Sequence, residues 1–237
     1  MFFDPIYWVV IALGGALSLG ASALVRGRFA RFSRLTTRSG LTGAEIARGI
    51  LRDHGIHDVR VEPVAGRLSD HYDPSTKTLR LSEPVYGSAS FAAFGVAAHE
   101  VGHAIQHARA YKPLAFRSAW VPVANTGGGL SMFVLFLAAV LGGVTTPAGG
   151  FFALLGIVAF GATTVFTLIT LPVEFDASRR ALVALEQGRY MTAEELGGAR
   201  KVLNAAALTY VAAFITSLLT LLYWAYRLGL IGGRRSE

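Results

Sequence analysis

Four stretches of this chain are long, apolar and free of charge, and they limit what it can fold into. Residues 6–25 (IYWVVIALGGALSLGASALV) and 151–173 (FFALLGIVAFGATTVFTLITLPV) carry no Asp, Glu, Lys or Arg. The same holds for 205–226 (AAALTYVAAFITSLLTLLYWAY) and for 118–144, whose apolar part is dense over 130–144. A helix rises 1.5 Å per residue, so about 20 such residues cross a hydrocarbon core of about 30 Å. Trp8, Trp120 and Trp224 fall at the ends of these stretches, where indole rings favour the headgroup zone. Buried helices of a soluble protein are the other reading. Only 16% of the residues are charged, against about a quarter in soluble domains, which leaves too little polar surface for it. The expectation is four membrane spans, with TTPAGG at 145–150 as a tight turn between the second and third.

The charges that exist are concentrated. Residues 26–117 hold 14 of the 22 Lys and Arg, residues 173–204 hold 5, and the turn at 145–150 holds none. Basic loops stay in the cytoplasm, so both polar blocks are expected there, with the N-terminus outside. The segment 1–25 has no basic residue before it and Arg26, Arg28, Arg31 and Arg34 after it. That is the reverse of a cleavable signal, so it reads as a retained anchor. The expected order is an anchor at 1–25, a cytoplasmic unit at 26–117, spans at 118–144 and 151–173, a cytoplasmic helical segment at 174–204, a span at 205–228 and a tail at 229–237. Arg227, Arg234 and Arg235 near the tail oppose this orientation, and the larger blocks outweigh them. The formal charge of +7 therefore reflects membrane orientation, and the run 26–38, which abuts a span, suits anionic lipid headgroups and not nucleic acid.

Within 26–117 the pattern is α+β. Residues 41–54 (LTGAEIARGILRDH) place apolar side chains near helical spacing, with Thr42 and Glu45 as a capping box and Gly55 as a stop. Residues 58–64 and 77–82 alternate as strands, and DHYDPST between them carries a turn signal, so a small antiparallel sheet is expected. Residues 88–110 form a helix rich in small residues.

That helix carries His99-Glu100-Val101-Gly102-His103. Imidazoles four residues apart share one helix face and reach a single ion. The chain has no cysteine, so thiolate ligands and disulfides are excluded, and zinc is the default ion for a His and carboxylate site. Glu100 is placed to take a proton from a zinc-bound water and pass it to the leaving amine. A pair of hydrogen-bonded core histidines is the plainer reading, which the motif's setting on an apolar helix disfavours. A catalytic zinc site takes a third protein ligand. His107 continues the face, but it lies about 12 Å from His99 along a straight helix, which suits a supporting role better than a shared ion. The better candidate is Glu174 in ITLPVEF, a carboxylate that is costly beside a span unless bound or paired. Asp176 is a supporting partner for a ligand histidine or the ligand in its place, and a helix N-terminal charge is the remaining reading of Glu174.

The segments AAHEVGHAIQHA at 97–108, LPVEFDASRRAL at 171–182 and LSDHYDPSTKTLRLSEPVY at 68–86 resemble the YugP-like family of membrane neutral zinc metallopeptidases, over almost the whole chain. More distantly the chain is similar to HtpX-type membrane peptidases. The resemblance implies a zinc peptidase with Glu174 as third ligand. The distant group places an Asp four residues after the ligand Glu, where this chain has Ser178, and Asp176 is the candidate to replace it.

The fold class expected is mainly α, multi-pass, with a small cytoplasmic zincin-like α+β unit carrying the HExxH helix. The function expected is a membrane-embedded, gluzincin-like zinc endopeptidase acting on membrane or membrane-associated proteins, in a bacterial-type plasma membrane with the site on the cytoplasmic side. The segment 76–82 is the candidate edge strand for pairing with substrate. His71, Tyr72, Arg179 and Tyr210 are candidates to steady the transition state. A non-catalytic membrane scaffold with a structural HExxH is the alternative. A metal transporter is a third possibility, disfavoured because the spans offer only hydroxyls such as Thr163 and Thr167.

Overall fold

The computed structural model describes residues 4–231, and the chain is mainly helical. Helices α1 (Pro5–Phe32), α2 (Gly43–Asp53), α3 (Glu83–Tyr86), α4 (Phe91–Ala108), α5 (Lys112–Val140), α6 (Pro147–Gln187) and α7 (Ala193–Arg227) join strands β1 (Arg60–Val64), β2 (His71–Asp73) and β3 (Thr78–Ser82). The chain divides into two compact units. One holds Met1–Gly20, Phe116–Leu171 and Thr209–Glu237, and the other holds Ala21–Ala115 and Pro172–Leu208. Of the expected tail at 229–237, residues 232–237 lie outside the described residues, as do residues 1–3 of the anchor.

The first unit is the apolar one. Helices α1, α6 and α7 are each long and apolar enough to cross a membrane. Their large apolar side chains are widely exposed, including Ile6, Leu13, Phe151, Leu154 and Val158. Such exposure is a liability in water and matches lipid. The expected fourth span at 118–144 lies on α5, which is not straight. Lys112–Ala124 and Gly128–Val140 meet at a 48° bend and qualify only when taken together. Pro122 lies inside this helix, and three glycines follow at 127–129. Proline removes a helical hydrogen bond, and glycine stiffens nothing. The expected turn at 145–150 ends earlier, at Thr146, because Pro147 takes the first helical position of α6, which its fixed φ favours. A small core of Leu135, Ala138, Ala153, Phe160, Tyr223, Trp224 and Leu228 holds this unit.

The second unit builds the site. Helix α2 starts at a capping box: Thr42 Oγ1 accepts from the Glu45 amide, and Glu45 Oε2 accepts from the Thr42 amide at 2.7 Å. The sheet corrects the antiparallel expectation. Its order is β1-β3-β2, with β1 parallel to β3 and β2 antiparallel to it. The segment expected to be only a turn supplies β2, and the turn shrinks to residues 74–77, where Lys77 adopts φ 49°. β3 is therefore central, with Leu79 and Leu81 fully buried, and the segment 76–82 cannot offer a free edge. The edges are β1 and β2, and β2 packs against α4.

Helix α4 is capped by Ser90, whose hydroxyl accepts from the Ala93 amide. It is buried along most of its length by Phe94, Ala97, Ala98, Val101, Ala104 and Ile105. Small residues let backbones approach. A Cβ on Gly102 would stand 2.5 Å from the Ala177 carbonyl oxygen, so α4 and α6 meet nearly backbone to backbone. On α6 the facing stripe is Val173, Ala177, Ala181 and Ala184, all buried and at helical spacing. α6 runs unbroken through Pro172. The expected boundary between a span at 151–173 and a separate segment at 174–204 is thus not an element boundary, and Glu174 is not a helix N-terminal charge.

Candidate metal centre

His99, Glu100 and His103 lie on α4, and Glu174 lies on α6 facing them. His99 Nε2 is 3.2 Å from Glu174 Oε2, and His103 Nε2 is 3.5 Å from the same oxygen. The two imidazole rings are 4.8 Å apart and edge to face. Among the described residues these three form the group whose donor atoms all lie within 4.8 Å of one another. Tetrahedral ligands with bonds of about 2.1 Å stand about 3.4 Å apart. The two measured nitrogen-to-oxygen separations bracket that figure, and two neutral nitrogens with one carboxylate are a donor set that suits zinc. Glu174 and His103 are buried. A buried carboxylate converging on two imidazoles is costly unless a proton or a metal ion is shared among them.

Glu100 follows the first histidine and is 8% exposed. Burial pushes its carboxyl above the ordinary glutamate range, and the charges of His99 and His103 pull against that. Raised basicity is what a group that accepts and returns a proton needs.

The remaining nitrogens of the two histidines are also engaged. His99 Nδ1 meets Ser178 Oγ at 3.1 Å. His103 Nδ1 meets Gln106 Oε1 at 3.1 Å, and Gln106 Nε2 reaches Asp176 Oδ2 at 2.9 Å. Asp176 was expected as a direct partner of a ligand histidine. It instead acts one residue removed, through Gln106, and its own carboxylate is held by Arg179 and Arg180. Ser178 itself, at the position where the resemblance led to an expected Asp, touches His99. Gln106 was missed. Its signal was present in the sequence, since it sits three residues after His103 on an apolar helix, on the same face.

His107, His71 and Arg179 are engaged by other partners. His107 Nδ1 bonds the Tyr72 hydroxyl at 2.8 Å and is not in the ligand group. Tyr72 lies on β2, and burial, with Asp58 and Asp73 adding, pushes its hydroxyl up to about 12, so it stays protonated. A cleft of about 350 Å³ beside them is lined by Tyr72, His107, Asp58 and Lys77. His71 is exposed on β2, with Nδ1 against the Ser69 carbonyl. Arg179 is occupied by Asp176. Tyr210 lies on α7, in the other compact unit.

The family model described as "Putative neutral zinc metallopeptidase" matches residues 7–229. The chain belongs to this family. Within the neutral zinc metallopeptidase family, the chain is similar to the "Putative membrane protease YugP" of Bacillus subtilis (strain 168). The two are 47% identical over 217 residues, covering 92% of this chain and 93% of that protein. No solved structure matches the chain. A chain similar to a membrane protease, with three helices long and apolar enough to cross a membrane, is a membrane protein.

Proposed function

We propose that the chain is a membrane-embedded zinc metalloendopeptidase of the gluzincin type, with His99, His103 and Glu174 as zinc ligands and Glu100 as general base. The observation that carries this reading is the convergence of His99 Nε2 and His103 Nε2 on one Glu174 oxygen at 3.2 and 3.5 Å. A bound zinc ion would supply the electrophile that polarises the scissile carbonyl and acidifies the attacking water. Glu100 takes the water's proton as attack begins and delivers it to the departing amide nitrogen, so that the amine leaves neutral. Ser178 and Gln106 hold the two imidazole rings in place.

An extended peptide substrate pairs with β2, the sheet edge that packs on α4. Main-chain pairing of this kind ignores side-chain identity, in keeping with an endopeptidase that reads extended segments. Substrates are membrane proteins or proteins held at the membrane, because Glu174 lies on α6, a helix that continues into an apolar span. The basic block at 26–117 supports a site on the cytoplasmic face.

Glu100→Gln tests the assignment. The variant should bind zinc with wild-type stoichiometry and cleave a casein-type or membrane-protein substrate about 10²–10⁴-fold more slowly. Cleavage at the wild-type rate would remove Glu100 from the mechanism.

A further inference from the structure

Gln106 is completely buried, and all three of its polar contacts point to one orientation. Its amide nitrogen lies 2.8 Å from the Val173 carbonyl oxygen and 2.9 Å from Asp176 Oδ2. A backbone carbonyl only accepts, and so does a carboxylate paired with Arg179 and Arg180. Both contacts therefore require N–H donors, and the two hydrogens of the side-chain amide supply them. The amide oxygen is then fixed on the remaining side, against His103 Nδ1. An amide oxygen only accepts, so Nδ1 must carry a hydrogen. In neutral His103 the lone pair is consequently on Nε2, the nitrogen 3.5 Å from Glu174 Oε2.

His99 differs. Its Nδ1 faces the Ser178 hydroxyl, which donates or accepts with equal ease. Ser178 alone therefore selects no tautomer.

The geometry points to Gln106 as a tautomer lock: it holds neutral His103 in the Nδ1–H form, with Nε2 bare and aimed at the metal position before any ion arrives. Asp176, clamped by Arg179 and Arg180, sets the lock, because it occupies one of the two amide hydrogens that decide which way Gln106 faces. Gln106 is a positioning residue and touches neither substrate nor the reacting atoms. Partners that fix a ligand histidine in this way typically change metal affinity by about 10–100-fold when removed. The inference rests on the zinc-ligand reading of His103 and deepens it.

The test uses the full-length protein in detergent and two measurements. The first is zinc affinity by competition with a chromogenic chelator. Gln106→Met removes the acceptor while keeping the volume, and should weaken zinc about 10–100-fold. A Met variant within twofold of wild type would overturn the lock. The second measurement needs no variant: ¹⁵N NMR of the histidine rings in metal-free wild-type protein, at a pH where His103 is neutral. Protonated Nδ1 and unprotonated Nε2 are expected, and the reverse pattern overturns the lock even if the Met variant does not fold. Failure of wild-type protein to bind zinc would instead sink the metallopeptidase reading, and leave the NMR result to decide the tautomer.

Discussion

Gly102 lies against Ala177 so closely that a Cβ on Gly102 would stand 2.5 Å from the Ala177 carbonyl oxygen and 3.1 Å from its Cα. The obstacle is backbone and cannot rotate away. The glycine inside HEVGH therefore sets the spacing of α4 and α6, and with it the distance from His103 to Glu174. Gly102→Ala should push the helices apart, destabilise the fold by about 1–3 kcal/mol and weaken zinc binding. Gly197→Ala on α7 has open space around its Cβ and should be neutral or stabilising by up to about 1 kcal/mol. Thermal melts and zinc titration of both variants check this. A Gly102→Ala protein as stable as wild type would contradict the close approach.

Zinc binding should depend on pH with a definite sign. Burial works against the charged form of His103, but the hydrogen bond and charge of Glu174, aided by Glu100, outweigh it and hold its pKa above the ordinary imidazole value. A raised pKa means that the metal-free fold is stabilised by the His103–Glu174 pair below the ordinary histidine pKa. That stabilisation is lost as pH rises through the folded-state value. Zinc needs the Nε2 lone pair that the proton occupies. Zinc affinity should therefore climb with pH up to the raised value and level off above it, while the metal-free protein loses stability over the same window. Chelator competition and melts of metal-free protein across that range give both curves. A flat affinity curve would remove His103 from the ligand set.

The sidedness of the site is directly measurable, because the chain contains no cysteine. Ala65 follows β1 and is exposed, so Ala65→Cys provides a unique thiol in the site-bearing unit. A membrane-impermeant maleimide should label it in lysed cells and leave it unmodified in intact ones. Labelling of intact cells would put the site outside.

Pairing of substrate with β2 makes a prediction about the substrate itself. N-methylation of the peptide nitrogens that face β2 deletes hydrogen bonds of about 1 kcal/mol each, about fivefold in KM per position. The same methyl groups placed at alternate positions, pointing away from the strand, should have little effect. Equal effects at every position would exclude pairing with that edge.

Much of this protein was legible locally. The capping box at Thr42 and Glu45 and the helix ending in HEVGHAIQHA both follow from residues three or four apart. So do the apolar lengths of α1, α6 and α7. The sheet was read wrongly because β1, β2 and β3 interact across sequence gaps that alternation does not encode. A parallel neighbour of β3 and an antiparallel one leave the same period-two pattern. The bend in α5 was hidden for a related reason, since hydropathy averages over Pro122 and the glycines beyond it.

The sequence by itself determined that two imidazoles share a helix face, because helical geometry fixes residues 99 and 103 relative to each other with no help from the rest of the chain. It also determined that long apolar stretches require lipid. Only the tertiary structure decided which carboxylate meets those imidazoles, that Ser178 holds the far side of His99 and Asp176 anchors Gln106, and that β2 rather than β3 is a free edge. Those relationships span 70 residues or more, or turn on strand order. They are set by how closely glycine and alanine let α4 and α6 pack, which no local pattern records.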